Sequence, residues 1–106
     1  MKQTSNKTFQ ADVLDQNIPT LVYFSAAWCG PCKAIAPMLE ASEPQYAGRV
    51  NFVKVDVDDC SEVAMRYGVR GIPTLKMFVG GVVMSTKVGA ITRPDIEKFI
   101  NQHLEV

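Results

Sequence analysis

The sequence predicts an α/β protein, a mixed central sheet of five strands flanked by four helices, in a single domain over residues 1–106. Three observations lead there. Short β-branched and aromatic runs alternate with stretches of helical periodicity. The early elements read β-α-β, which implies a parallel strand pair with a right-handed crossover. The last two strands flank Gly80-Gly81, a pair that supplies the positive φ values of a tight hairpin turn, so part of the sheet is antiparallel.

Met1–Thr4 reads as an edge strand and Lys7–Asp15 as a first helix. Thr20-Leu21-Val22-Tyr23-Phe24-Ser25 is short, β-branched and aromatic, the pattern of a strand buried on both faces. Pro31–Tyr46 follows as a helix, with Ile35, Met38 and Leu39 at helical spacing and Pro37 predicting a kink. Val50–Val57 is the next strand, and Cys60–Tyr67 a short helix with Val63 and Tyr67 four apart, ended by Gly68. Thr74–Val79 and Val82–Val88 form the hairpin. Thr92 caps a final helix, with Asp95 at the capping-box position and Ile96, Phe99, Ile100 and Leu104 on its apolar face. Strands this apolar call for helices on both faces of the sheet.

Composition narrows the function. Eleven basic and eleven acidic side chains cancel, so the basic excess that nucleic-acid and membrane-surface binding need is missing. No stretch approaches the roughly 20 apolar residues of a membrane span. Residues 1–6 are polar and lack the apolar region of a secretory signal, and Leu104-Glu105-Val106 is not a retention signal of the endoplasmic reticulum. Read as an unprocessed chain, the protein is expected in the cytoplasm. Three cysteines are an odd and small set, unlike the framework of a secreted disulfide scaffold.

Two of them lie in Ala27-Trp28-Cys29-Gly30-Pro31-Cys32-Lys33, where the first buried strand ends and a helix begins. A cysteine at a helix N-terminus faces unpaired backbone N–H groups and the positive end of the helix dipole. Both stabilise a thiolate, the nucleophile of disulfide exchange, so Cys29 is expected to ionise readily. Cys32, one turn further in, is expected to be more buried and to attack the mixed disulfide. Gly30 permits a tight turn and close backbone approach. Pro31 lacks an N–H and pre-sets φ for the first helical turn. Trp28 offers a flat apolar surface suited to an extended peptide. The competing readings are weaker: a zinc site needs about four ligands, and only Cys60 and His103 remain; a structural disulfide over so short a loop removes little unfolded-state entropy.

Trp-Cys-Gly-Pro-Cys-Lys after a buried strand resembles the active-site motif of the thioredoxin family. Tyr67-Gly68-Val69-Arg70-Gly71-Ile72-Pro73-Thr74 is similar to the family's second signature and Val88-Gly89-Ala90 to its third. The order of elements agrees, and the resemblance covers essentially the whole chain. It implies the thioredoxin fold and a protein disulfide reductase that cycles Cys29 and Cys32 between dithiol and disulfide, with no cofactor beyond that redox-active disulfide and no metal. It further implies a cis bond before Pro73, an Ile72 backbone that pairs with a substrate strand, and a groove completed by Gly89 and Ala90. The implied partners are a thioredoxin reductase and disulfide-containing target proteins, with no nucleic acid and no membrane; a monomer is expected.

The resemblance departs at Tyr23, where thioredoxins commonly carry a buried aspartate thought to accept a proton from the second cysteine. The usual partner lysine is present as Lys54. A phenol, titrating near ~10, is a far weaker base near neutral pH. Tyr23 is expected mainly as core filling, its hydroxyl on a water or on Lys54. Ser25 and Ala27 also differ from the tryptophan and acidic residue of many bacterial members. Cys60 is expected as a helix-start residue, with a reactive thiol as the alternative, and His103 as a surface residue at the last helix's C-terminal end. Two other functions compete. An oxidase or isomerase is disfavoured by Pro31, where isomerases usually carry histidine. An interaction subunit that does not use its cysteines is disfavoured by the intact pair.

Overall fold

The computed structural model describes residues 1–104; Glu105 and Val106, the end of the expected domain, lie outside the described residues. Five strands form one sheet: β1 (Lys2–Gln3), β2 (Thr20–Ser25), β3 (Asn51–Asp56), β4 (Thr74–Val79) and β5 (Val82–Val88), in the spatial order β1-β3-β2-β4-β5. β3 runs parallel to both β1 and β2, whereas β4 is antiparallel to β2 and to β5, so the sheet is mixed as expected. The hairpin turns on Gly80 and Gly81, with φ of 59° and 80°.

Three α-helices and a π-helical segment accompany the sheet: α1 (Gly30–Ser42), α2 (Ser61–Arg66), α3 (Arg93–Asn101) and the π-helix Gln10–Leu14. The last replaces the α-helix expected over Lys7–Asp15; its wider winding closes where the Asp15 N–H donates to the Gln10 carbonyl. Ser5 and Thr8, each bonding the other's backbone N–H with its hydroxyl, set the turn that leads into it. α1 passes through Pro37 as one α-helix and gives way to a 3-10 turn at Glu43–Tyr46, four residues short of the single helix expected to Tyr46. At α3 the Thr92 hydroxyl accepts from the Asp95 N–H, as a cap should, but the Asp95 carboxylate returns to the Thr92 hydroxyl rather than to its N–H.

β2 is buried at every position because it lies mid-sheet with helices on both faces. Its period of two sorts the core. Leu21 and Tyr23 face α1 and α3 with Phe52, Leu75 and Met77, against Ile35, Leu39, Ile96 and Ile100. Val22 and Phe24 face the opposite layer with Val53, Val55 and Phe78, against Phe9, Val13, Cys60 and Val63. The β2–α1 junction, where the cysteine pair lies, is therefore anchored from both sides.

Candidate active site

β2 ends at Ser25, and four residues later Cys29 takes an extended conformation (φ −84°, ψ 109°) as the N-cap of α1. Gly30 and Pro31 open the helix, and Cys32 lies in its first turn. Cys29 and Cys32 form a disulfide with Cα atoms 5.3 Å apart. The Cys29 sulfur also accepts the backbone N–H of Cys32 at 3.2 Å, so a side chain caps the helix with sulfur where oxygen is usual. The same N–H and the helix dipole face this sulfur when it carries charge.

Burial does not separate the two cysteines as expected. Cys29 is 4% exposed and Cys32 3%, because the turn that places Cys29 at the cap also seats it on the core beside Tyr23 and Ile35. What differs is position: one sulfur caps the helix and the other lies inside its first turn. A Cβ on Gly30 would meet nothing within 4 Å outside its own turn, so the rest of the chain leaves this position open.

Trp28 projects beside the pair, 69% exposed, with its indole N–H donated to Asp58 Oδ2 at 2.9 Å. Asp58 is held by a turn in which Asp56 Oδ1 accepts the N–H groups of Asp58 and Asp59. Sequence reasoning missed this partner, since an aspartate in an acidic loop 30 residues from a tryptophan carries no spacing signal.

The other resemblance-based residues lie at the same end of the sheet, since Thr74 at the start of β4 is in register with Phe24 near the end of β2 and with Val88 at the end of β5. The Ile72–Pro73 bond is cis. Ile72 is half-buried against both core clusters. The Pro73 carbonyl accepts the Gly89 N–H at 2.8 Å, and Gly89 has a φ of 93° that only glycine adopts readily. Thr74 returns its hydroxyl to the Gly71 carbonyl. Gly71 packs close to Val88: a Cβ on it would stand 3.2 Å from Val88 Cγ1. Ala90 follows Gly89 and is exposed.

Tyr23 is 1% exposed, and burial pushes its phenol above the ordinary value of 10.0. Its hydroxyl, expected on a water or on Lys54, donates to the Cys32 carbonyl at 2.8 Å. Lys54 is the in-register neighbour of Tyr23 on β3 and is half-buried. The hydroxyl goes to the helix because Tyr23 points at the α1 layer, directly under the first turn.

Cys60 lies on the opposite face, 1% exposed, with its thiol donated to the Thr4 carbonyl at 3.5 Å. Burial, then the charges of Asp59 and Asp56, push that thiol up. A buried, less acidic thiol is a poor nucleophile, which favours the helix-start reading over the reactive one. His103 is half-buried rather than fully at the surface, its Nε2 2.7 Å from the Ser85 hydroxyl on β5. Among the described residues, no group of three or more His, Cys, Asp or Glu side chains could hold a metal ion.

A redox-active disulfide at the start of a helix, on a five-stranded mixed sheet, defines a thiol–disulfide oxidoreductase. The thioredoxin family profile matches residues 1–102. Thioredoxin C-2 of Corynebacterium nephridii is 50% identical over 95% of this chain and 94% of its own. Thioredoxin of Haemophilus influenzae is 46% identical over 91% and 90%, and Thioredoxin 1 of a Nostoc species 41% over 96% and 95%. The chain belongs to the thioredoxin family, and its activity is that of a protein disulfide reductase.

Proposed function

We propose that Cys29 is the nucleophile and Cys32 the resolving thiol of a protein disulfide reductase. The observation that carries this reading is the Cys29 sulfur at the N-cap of α1, accepting the Cys32 N–H. In the reduced protein the Cys29 thiolate attacks one sulfur of a target disulfide. A Cys29–target bond forms, the target's own S–S bond breaks, and the departing thiolate takes up a proton. Cys32 then loses its proton and attacks the Cys29 sulfur. The internal disulfide forms and the second target thiolate leaves, so two electrons have passed to the target.

The target strand lies in the groove between Trp28 on one side and Ile72, Pro73, Gly89 and Ala90 on the other. Gly30 and Pro31 shape its floor, and Tyr23 and Lys54 support the pair from the sheet. The Ile72 backbone supplies strand-like hydrogen bonds, which capture extended peptides without regard to sequence. A thioredoxin reductase returns the disulfide to the dithiol in the cytoplasm, where the protein works as a monomeric electron carrier in redox homeostasis. Among the described residues, no helix is long and apolar enough to cross a membrane.

The test is kinetic. Cys29→Ser abolishes reduction of a protein disulfide, and Cys32→Ser accumulates mixed disulfides that can be trapped and identified. Faster alkylation of Cys32 than of Cys29 at neutral pH reverses the assignment. A Cys29→Ser, Cys32→Ser double variant that still sustains the cell's reductase-dependent functions points instead to an interaction subunit.

A further inference from the structure

We propose that Tyr23 is a positioning residue for the resolving step, its hydroxyl fixing the first turn of α1, and with it the Cys32 sulfur, through the Cys32 carbonyl. The proposal rests on the roles given above to Cys29 and Cys32. Tyr23 lies on the innermost strand, buried among Leu21, Leu75, Ile35 and the cysteines. Its hydroxyl donates to the Cys32 carbonyl at 2.8 Å, a buried link from β2 to α1 that spans nine residues.

That turn has reason to need a tie. Pro37, inside α1, has no N–H for the Lys33 carbonyl, and its ring crowds that oxygen. The helix is thereby weakened one residue beyond Cys32. The Cys32 N–H is already engaged by the Cys29 sulfur. With the carbonyl held by Tyr23 and the N–H by Cys29, the Cys32 backbone is fixed at both ends of the residue.

The direction of the bond decides what kind of role this is. A carbonyl only accepts, so the phenol is the protonated donor of this bond. A neutral phenol, which burial keeps protonated, is too weak a base to take the proton of the Cys32 thiol. Around Tyr23 the titratable groups are Cys29 and Cys32 from α1 and Lys54 from β3, while the β4 neighbour in register is Leu75. The proton that Cys32 sheds therefore passes to solvent or to the departing target thiolate. In this protein the sheet side of the site contributes geometry through Tyr23 rather than a carboxylate base.

The test uses the reduced chain and 5,5′-dithiobis(2-nitrobenzoate) in stopped flow. Capture by Cys29 releases one coloured thiolate and resolution by Cys32 a second, so the two steps are read separately. In Tyr23→Phe the ring still fills the core while the hydroxyl is lost. The second phase is expected to slow by about five- to tenfold, the factor one hydrogen bond is worth, with the first phase within twofold. An unchanged second phase, a faster one, or an equal slowing of both phases overturns the proposal, since a general loosening of the fold moves both steps together. Cys32→Ser separates the two readings, because it must keep the first phase within twofold of the wild type and lose the second. If its first phase is slowed more than about tenfold, Cys32 is the attacking thiol, and the assignment of the cysteines fails and this proposal with it. If its first phase is kept and Tyr23→Phe resolves like the wild type, only the role of Tyr23 fails.

Discussion

Trp28 is held by Asp58: the indole N–H donates to Asp58 Oδ2 at 2.9 Å, so the ring beside the disulfide is anchored from the β3–α2 loop and not from its own helix. The ring is 69% exposed and makes a platform only if its orientation is fixed. Asp58→Ala is expected to free it. Trp28 is the only tryptophan, so steady-state fluorescence anisotropy reads the change directly and should fall. Capture of a protein disulfide should weaken by about two- to fivefold, the worth of one partly exposed hydrogen bond, with turnover of a small disulfide unchanged. Equal loss on both substrates would show that Asp58 acts on the dithiol itself.

The hairpin glycines are not equivalent. A Cβ on Gly81 would stand 3.1 Å from the Leu14 carbonyl oxygen, at a φ of 80°. At Gly80, with φ 59°, it would meet nothing within 4 Å. Gly81→Ala is therefore expected to cost about 1–3 kcal/mol, from left-handed strain of about 1–2 kcal/mol together with the backbone contact. Gly80→Asn should cost less than about 1 kcal/mol, because asparagine visits that region routinely. Urea midpoints check the pair, and equal losses would remove the role given to Leu14.

Legibility followed the range of the physics involved. The strands and the hairpin were readable because β-branched runs and Gly80-Gly81 act over a few residues. The site was readable to the extent that it is a motif: Cys29 and Cys32 lie three apart at a strand–helix junction. The expectation of a groove formed with Ile72, Pro73 and Gly89 beside Trp28 came from family resemblance, since no local pattern joins residues 28 and 89. Three contacts had no sequence signal. Trp28 to Asp58 spans 30 positions, Ser85 to His103 spans 18, and the Tyr23 hydroxyl could reach Lys54 or Cys32 until α1 was placed. The π winding at Gln10–Leu14 escaped because it differs from an α-helix by one residue in its hydrogen-bond spacing, below what apolar spacing resolves over five residues.

Acid stability should trace to Asp12. Burial alone would raise its carboxyl, but bonds from Lys2, Thr4 and Thr8 and the Lys2 charge outweigh burial and hold it below the ordinary 3.8. Lys2 Nζ lies 2.9 Å from Oδ1 and the Thr4 hydroxyl 2.8 Å from Oδ2. A depressed folded-state pKa means that the unfolded chain binds the proton more readily. This contribution is complete above the unfolded value and is lost as pH falls through the folded one. Asp12→Asn is expected to lower stability by about 1–2 kcal/mol at pH 7 and to show a shallower loss below about pH 4. A constant deficit from pH 7 to pH 2.5 would remove the linkage.

Tyr23→Asp brings back the carboxylate common in the family, and here it should be destabilising in a pH-dependent way. Tyr23 is among the largest fully buried side chains, and its hydroxyl is spent on the Cys32 carbonyl. Loss of the ring opens a cavity in the layer under α1, at the scale of about 3–5 kcal/mol for a large core residue cut back. A charged carboxylate could not donate to the Cys32 oxygen and would face it as a second acceptor. Burial raises a carboxyl's pKa, so the folded variant binds its proton more tightly than the unfolded chain. Stability then falls as pH rises from about 4, the unfolded value, toward the folded one. The melting temperature of Tyr23→Asp should lie below wild type throughout, with a larger gap at pH 7 than at pH 4. A smaller gap at pH 7 would mean that Lys54, in register on β3, pairs with the new carboxylate and offsets its desolvation. Tyr23→Asn separates the two cases: it makes the same cavity without the charge, and its gap to wild type should not change between the two pH values.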